Sequence, residues 1–270
     1  MITEMITGKT KIFGVIADPI DHVRAPMVFN PVFADRGIDA VLVPFHITPD
    51  ALELSIRGLA AMPNCGGVCV TIPHKLPMAE LCDDLGLAAE ITGAVNAVRF
   101  ENGRLIGDNF DGQGFVQGLY GEGHDLKDAN VLMIGAGGAA RAIAVALAGQ
   151  PIQRLTIANR TLANAEAIAS IISHHFPDVK VEAVRADDLD PLIGHQQVII
   201  NTTSLGLNDG DALPCSLDHV DERVIIADII MVPEKTAWML LAEKKGLNTH
   251  LGKHMLDYQR DLIGHFIGAL

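Results

Sequence analysis

The chain has 270 residues, a formal net charge of −13 and 49% hydrophobic residues. That length supports one large or two medium domains, and the acidic balance argues against general binding to nucleic acid or anionic membranes. Charged residues interrupt every apolar stretch before membrane-spanning length, and residues 1–11 lack the apolar core of a signal peptide, so a soluble cytoplasmic protein is expected. The four cysteines, Cys65, Cys69, Cys82 and Cys215, have no paired spacing, and the eleven histidines contain no His-Glu-x-x-His run. No metal is assigned, and reduced, buried thiols are expected.

Strand and helix signals alternate from end to end, the signature of an α/β fold with largely parallel sheets. Residues 11–16, 40–45 and 67–72 read as strands, with a helix at 49–62 that carries Pro49 in its first turn. Residues 94–100 and 104–107 read as a hairpin turning at Glu101-Asn102-Gly103, since Asn-Gly is a strong short-range turn signal. Further strands fall at 131–134, 155–158, 179–184, 198–200 and 224–227. The longest helix is expected at 162–175, and a final helix at 256–270.

Val131-Leu132-Met133-Ile134 runs straight into Gly135-Ala136-Gly137-Gly138-Ala139-Ala140-Arg141. A buried strand, a glycine turn and a helix start are the context that makes such a turn a dinucleotide site rather than an ordinary strand–helix junction. Gly135 takes the tight turn, Gly137 lets backbone approach a pyrophosphate, and Ala140 allows close helix–strand packing. The helix N-terminus then offers free N–H groups to the phosphates. Residues 110–247 therefore read as the dinucleotide-binding domain. The first part of the chain has no cofactor signature and reads as the substrate domain, with the ligand in the cleft between the two.

Two segments carry residues suited to proton transfer. Thr71-Ile72-Pro73-His74-Lys75 places a lysine just beyond a strand, and Gly107-Asp108-Asn109-Phe110-Asp111-Gly112 is a polar, glycine-bracketed stretch at the domain junction. A carbonyl that receives hydride needs a proton on its oxygen, which the Lys75 ammonium can supply while Asp111 orients and stabilises the charge. A surface lysine and a helix-capping aspartate account for the same residues equally simply.

These segments, together with Gly93-Ala94-Val95-Asn96, Asn159-Arg160-Thr161, Ile200-Asn201-Thr202-Thr203-Ser204 and Met255-Leu256-Asp257-Tyr258-Gln259, resemble in order and spacing the motifs of the shikimate dehydrogenase family. The resemblance spans residues 13–259. It implies a Rossmann-type doubly wound domain beside an α/β substrate domain. It also implies that the C-terminal helix folds back onto the latter, which then comprises 1–109 and 248–270. Lys75 and Asp111 match the family's catalytic pair, and Thr71, Asn96 and Gln259 match its substrate-hydroxyl contacts. Cofactor contacts are implied at Gly135, Ala136, Gly137, Gly138 and Ala139, at Asn159, Arg160 and Thr161, and at Thr202.

The sequence departs from the family at one end of the substrate site. Where the family carries two serines that bind the substrate carboxylate, this chain reads His22-Val23-Arg24-Ala25-Pro26, and a tyrosine that usually assists is Met231. Three lost donors weaken such binding by about 1 kcal/mol or more apiece. Either Arg24 replaces them as a charged fork, or the substrate is a related polyol with another substituent there, or Arg24 faces solvent. Cofactor choice follows similar logic. No acidic residue occupies the ribose position and Arg160 follows it, which favours NADP; Asn164 stands where a second arginine is usual, which leaves NAD possible.

The leading reading is an NADP-dependent oxidoreductase interconverting 3-dehydroshikimate and shikimate, or a close alicyclic hydroxy acid. The alternatives are a quinate or other polyol dehydrogenase using NAD, and a non-catalytic NAD(P)-binding regulator with a decayed substrate pocket. A small-molecule substrate is the expected partner, and a monomer or homodimer the expected assembly.

Overall fold

The computed structural model describes residues 6–21, 23–187 and 189–270, so the expectations for residues 1–5 and for His22 lie outside the described residues. The chain forms two compact units: the first runs to Phe110 and resumes at Arg260–Leu270, and the second is Asp111–Gln259. No described helix is long and apolar enough to cross a membrane.

The first unit holds β1 (Lys11–Ala17), α1 (Ala25–Arg36), β2 (Ala40–His46), a 3-10 turn (Pro49–Ala51), α2 (Leu52–Ala60), β3 (Cys65–Val70), α3 (Lys75–Leu81), β4 (Asp84–Leu85), α4 (Leu87–Thr92), β5 (Ala97–Glu101) and β6 (Arg104–Asp108). Its strands form one sheet in the order β2-β1-β3-β5-β6-β4. β1 pairs in parallel with β2 and β3, whereas β5 is antiparallel to both β3 and β6. Side-chain alternation divides the core. Phe13, Val15 and Cys69 pack on one face with Phe29, Phe33 and Ile263, while Ile16, Val68 and Val70 pack on the other with Ile56 and Met78. The hairpin turns as expected, with Asn102 and Gly103 at φ 52° and 77°.

The second unit holds α5 (Asp111–Gly121), β7 (Asn130–Ile134), α6 (Gly138–Ala148), β8 (Arg154–Asn159), α7 (Leu162–His175), β9 (Lys180–Arg185), α8 (Asp190–Ile193), β10 (Val198–Asn201), β11 (Ile225–Asp228), α9 (Ala237–Lys244) and β12 (Asn248–His250). Its sheet order, β12-β11-β10-β7-β8-β9, is parallel throughout. Read from β9 this is the 3-2-1-4-5-6 order of a doubly wound dinucleotide fold, with the order reversing between β7 and β10. The last helix, α10 (Lys253–Ile267), begins in the second unit and ends in the first.

Several boundaries differ from the sequence reading. β3 stops at Val70 rather than residue 72: Pro73 has no N–H to extend a ladder and restricts the residue before it. The helix expected at 49–62 divides into the 3-10 turn and α2. α10 has 15 residues against 14 for α7, so the final helix is the longest and starts before the expected residue 256. Residues 248–270 are expected in the substrate domain, yet β12 pairs with β11, and the second unit continues to Gln259 rather than ending at 247. A strand of three residues is too short to show a period in the sequence, and its pairing with β11 reveals it.

Candidate active site

The glycine turn sits at the reversal point of the second sheet. Gly135 follows β7 at φ +117°, and a Cβ there would stand 2.5 Å from Thr202 Oγ1. Thr202 follows β10 and is tied to the same place twice, its N–H and its hydroxyl both donating to Ile134 O at 2.8 and 2.9 Å. Only glycine satisfies both the backbone and the space. Gly137 and Gly138 are exposed, and a Cβ on either would meet nothing within 4 Å, so the turn opens onto free space beyond the strand ends. Gly137 caps α6 without a side-chain hydrogen bond, which leaves the first helical N–H groups directed outward. Ala136 and Ala139 are half-buried in the turn.

Beside it, β8 ends at Asn159, whose Nδ2 donates to Thr161 O at 2.9 Å. Arg160 and Thr161 are exposed at that strand end. An open glycine cradle, an uncapped helix start and a guanidinium where an acid would select the unphosphorylated ribose fit a 2′-phosphorylated dinucleotide.

In the first unit, Thr71, Lys75 and Asn96 meet where β3 ends. Val70 N donates to Asn96 O at 2.7 Å, and Val95 N to Lys75 O at 2.8 Å. Asn96 is buried, its Oδ1 accepting from Phe110 N at 2.9 Å, and Asn109 Nδ2 reaches Ala94 O at 3.0 Å. These amides fix the backbone around the half-buried Lys75, which opens α3. His74 is a core residue: it is fully buried, with Nε2 on Ile47 O at 2.7 Å. Arg24 makes only backbone hydrogen bonds among the described residues. It precedes α1, its carbonyl accepting from Met27 and Val28, and its side chain is exposed. Val23 and Ala25 pack against the Phe13–Phe29 face of the core.

In the second unit, Asp111 opens α5 and Gln259 Nε2 donates to its Oδ1 at 2.7 Å. α10 comes this close because α5 shows it glycine: a Cβ on Gly114 would stand 2.6 Å from Met255 O and 2.9 Å from Gln259 Cβ. A buried network at the ends of β10 and β11 escaped the sequence reading. Asp228 accepts from Ile230 N, Asn201 Nδ2 and Thr236 Oγ1 at 2.9–3.2 Å, and Asn201 Oδ1 accepts from Thr203 Oγ1 at 2.7 Å. Burial raises the Asp228 carboxyl above its ordinary value, opposed by these hydrogen bonds. The network braces the loops that follow both strands; its signal in the sequence is a polar residue closing each apolar run.

Fold and site together define an α/β dehydrogenase built from a dinucleotide-binding unit and a second, mixed-sheet unit. The family described as shikimate dehydrogenase substrate binding domain matches residues 15–98, and that described as shikimate / quinate 5-dehydrogenase matches residues 120–229. A shikimate dehydrogenase (NADP(+)) of Lysinibacillus sphaericus is 37% identical over 262 residues, covering 96% of this chain and 92% of the relative. The structure of shikimate 5-dehydrogenase from Listeria monocytogenes, in complex with shikimate and NAD, superposes with a TM-score of 0.92 at 33% identity, covering 99% of this chain and 95% of that one. The ligand-free 5-ketofructose reductase of a Gluconobacter strain does so with a TM-score of 0.88 at 29% identity, covering 96% and 93%. The chain belongs to the shikimate dehydrogenase family.

Proposed function

We propose that the protein is an NADP-dependent oxidoreductase that interconverts 3-dehydroshikimate and shikimate, or a close alicyclic hydroxy acid. The observation that carries this reading is the open glycine turn at the reversal point of a 3-2-1-4-5-6 sheet, in a chain of this family that keeps Lys75, Asn96, Asp111 and Gln259. Gly135, Ala136, Gly137, Gly138 and Ala139 with Thr202 would hold the pyrophosphate side of the dinucleotide, and Asn159, Arg160 and Thr161 its 2′-phosphorylated ribose. When bound, the nicotinamide supplies or accepts the hydride. Lys75 gives a proton to the carbonyl oxygen in reduction and removes it from the hydroxyl in oxidation. Asp111, oriented by Gln259, stabilises the ammonium form, and Thr71 and Asn96 hold substrate hydroxyls. NAD is the weaker alternative cofactor.

A second reading is favoured by a specific observation. Val23 and Ala25 turn into the apolar core, so this segment offers no hydroxyl to a carboxylate. The likeness to a 5-ketofructose reductase adds a relative named for an uncharged ketose. In that reading the substrate is a neutral polyhydroxy ketone. Turnover of shikimate and quinate with NADP and NAD, and of 5-ketofructose with NADPH, separates the two. A higher kcat/KM for shikimate supports the first reading, and a higher value for the ketose supports the second. No turnover with any of them, while NADP binds, contradicts both. The unpaired cysteines fit a reducing cytoplasm: burial pushes the thiols of Cys69, Cys82 and Cys215 up to about 12, which keeps them unreactive. We take the enzyme to act there as a monomer or homodimer.

A further inference from the structure

Asp228 is a buried acid that the proposed reaction does not use. It is 1% exposed, as is Thr236, and Asn201 is fully buried. The hydrogen bonds it receives come from neutral donors: Ile230 N at 2.9 Å, Thr236 Oγ1 at 3.0 Å, and Asn201 Nδ2 at 3.2 Å from either oxygen. Thr236 Oγ1 accepts in turn from Met239 N at 3.3 Å, which leaves its own proton for the carboxylate. A carboxylate buried among neutral groups is a costly way to add stability, because its desolvation offsets most of what the bonds return. A fully bonded one does fix the geometry of the groups that hold it.

Those groups lead in two directions. On one side Asn201 ties down the loop after β10: its Nδ2 also donates to Leu205 O at 3.0 Å, and its Oδ1 accepts from Thr203 N and Thr203 Oγ1 at 3.0 and 2.7 Å. That loop begins with Thr202, which is bonded to Ile134 O through N–H and hydroxyl and so lies against Gly135. On the other side the Ile230 N bond holds residues 229–230, and α10 starts directly upon them. A Cβ on Gly252 would stand 2.5 Å from Ile230 O and 2.6 Å from Ile229 C. Lys253, the first residue of α10, adds an ion pair at 2.7 Å to Glu234 of the same loop. Further along α10, Gln259 donates to Asp111 Oδ1.

We propose that Asp228 is a positioning residue: through Asn201 and Thr236 it sets α10, and with it the Gln259–Asp111 pair, against the cofactor turn. Hydride transfer is sensitive to such placement, since about 1 Å of displacement costs on the order of 10²-fold in rate. The effect on rate rests on the oxidoreductase reading, whereas the mechanical coupling is readable without turnover.

Asp228→Asn, Thr236→Val and Thr236→Ser in the full chain test the assignment. Calorimetric titration with 2′,5′-ADP counts the folded, cofactor-competent sites of each variant. The rate is then measured per competent site, on whichever of shikimate, quinate and 5-ketofructose the parent turns over fastest. Asp228→Asn is expected to lower kcat about 10²-fold and Thr236→Val roughly tenfold, and Thr236→Ser, which restores the hydroxyl, to return it to within about threefold of the parent. Affinity for 2′,5′-ADP, held at the end of β8 two strands from β10, should stay within about twofold. Amide hydrogen exchange should quicken in residues 253–259 of Asp228→Asn and Thr236→Val and stay unchanged in α7. Variants that lose competent sites but keep the parent's kcat per site would mean that Asp228 only stabilises the fold, and would overturn the proposal. So would equal rates for Thr236→Val and Thr236→Ser, or unaltered exchange in residues 253–259. A parent that turns over none of the three substrates refutes the oxidoreductase reading instead, and the exchange then decides the coupling alone.

Discussion

The two sheets have equal numbers of strands but are built on different principles. The second is parallel throughout, and its central strands are almost wholly buried: all of β10 and β11, and β7 from Val131 to Ile134. The first joins parallel β1, β2 and β3 to an antiparallel hairpin whose outer residues reach solvent. A doubly wound parallel sheet concentrates its binding groups where the order reverses, so its proposed cofactor residues fall in two short runs, Gly135 to Ala139 and Asn159 to Thr161, plus Thr202. The mixed sheet has no such point. Its polar groups, Thr71, Lys75 and Asn96, come from separate strand and helix ends and are held by backbone bonds between them. The proposed division of labour is cofactor on the first principle and proton transfer with substrate binding on the second.

The sharpest way to break that division is Lys75→Ala. It is expected to lower kcat by on the order of 10²–10⁴ while NADP affinity, set in the other unit, stays within about twofold. Steady-state rates alongside a fluorescence titration of NADPH check both halves. Gly135→Ala is the converse. At φ +117°, with its Cβ 2.5 Å from Thr202 Oγ1, it should cost about 2 kcal/mol or more of stability and weaken NADPH at least roughly tenfold. Thermal melts and the same titration read these effects.

A third prediction concerns acid stability of the second unit. His250 is buried, with Phe115, His124 and His254 rings 5.0–5.6 Å away and neither of its ring nitrogens paired. Burial, reinforced by His254 and His124, holds its imidazole down to about 3 from 6.5. The unfolded chain therefore takes up this proton first. The stability associated with the neutral ring is complete above pH 6.5 and is lost as pH falls toward 3. Urea denaturation should show His250→Phe losing about 1–2 kcal/mol less than the parent between about pH 7 and about pH 5. Equal losses would mean that the ring is solvated in the folded protein. The smallest effect belongs to the first unit: Asn102→Ala, at φ 52° in the hairpin turn, should cost about 1 kcal/mol and leave kcat unchanged.

The same contrast explains what the sequence made legible. The glycine turn, the Asn102-Gly103 hairpin and helix α7 are local signals, and the structure places each where its residues indicate. The Asp228–Asn201–Thr236 network is not local: it joins residues far apart in the chain, and only the sheet register brings Asn201 opposite Asp228. β12 is too short to carry a period, so the boundary after Gln259 was not readable from pattern. His74 illustrates the reverse limit. Beside Lys75 in sequence, it is suggestive, yet the turn that presents the lysine buries the histidine against Ile47.

The most direct test of the central claim is the fate of the hydride. Shikimate carrying deuterium at the carbinol carbon that becomes the ketone is incubated with enzyme and NADP, and the NADPH is weighed by mass spectrometry. The account predicts deuterated NADPH formed in step with 3-dehydroshikimate, and on the order of 10²–10⁴-fold more slowly with Lys75→Ala at the same cofactor occupancy. Bound NADP with no label transferred by the parent enzyme would contradict it.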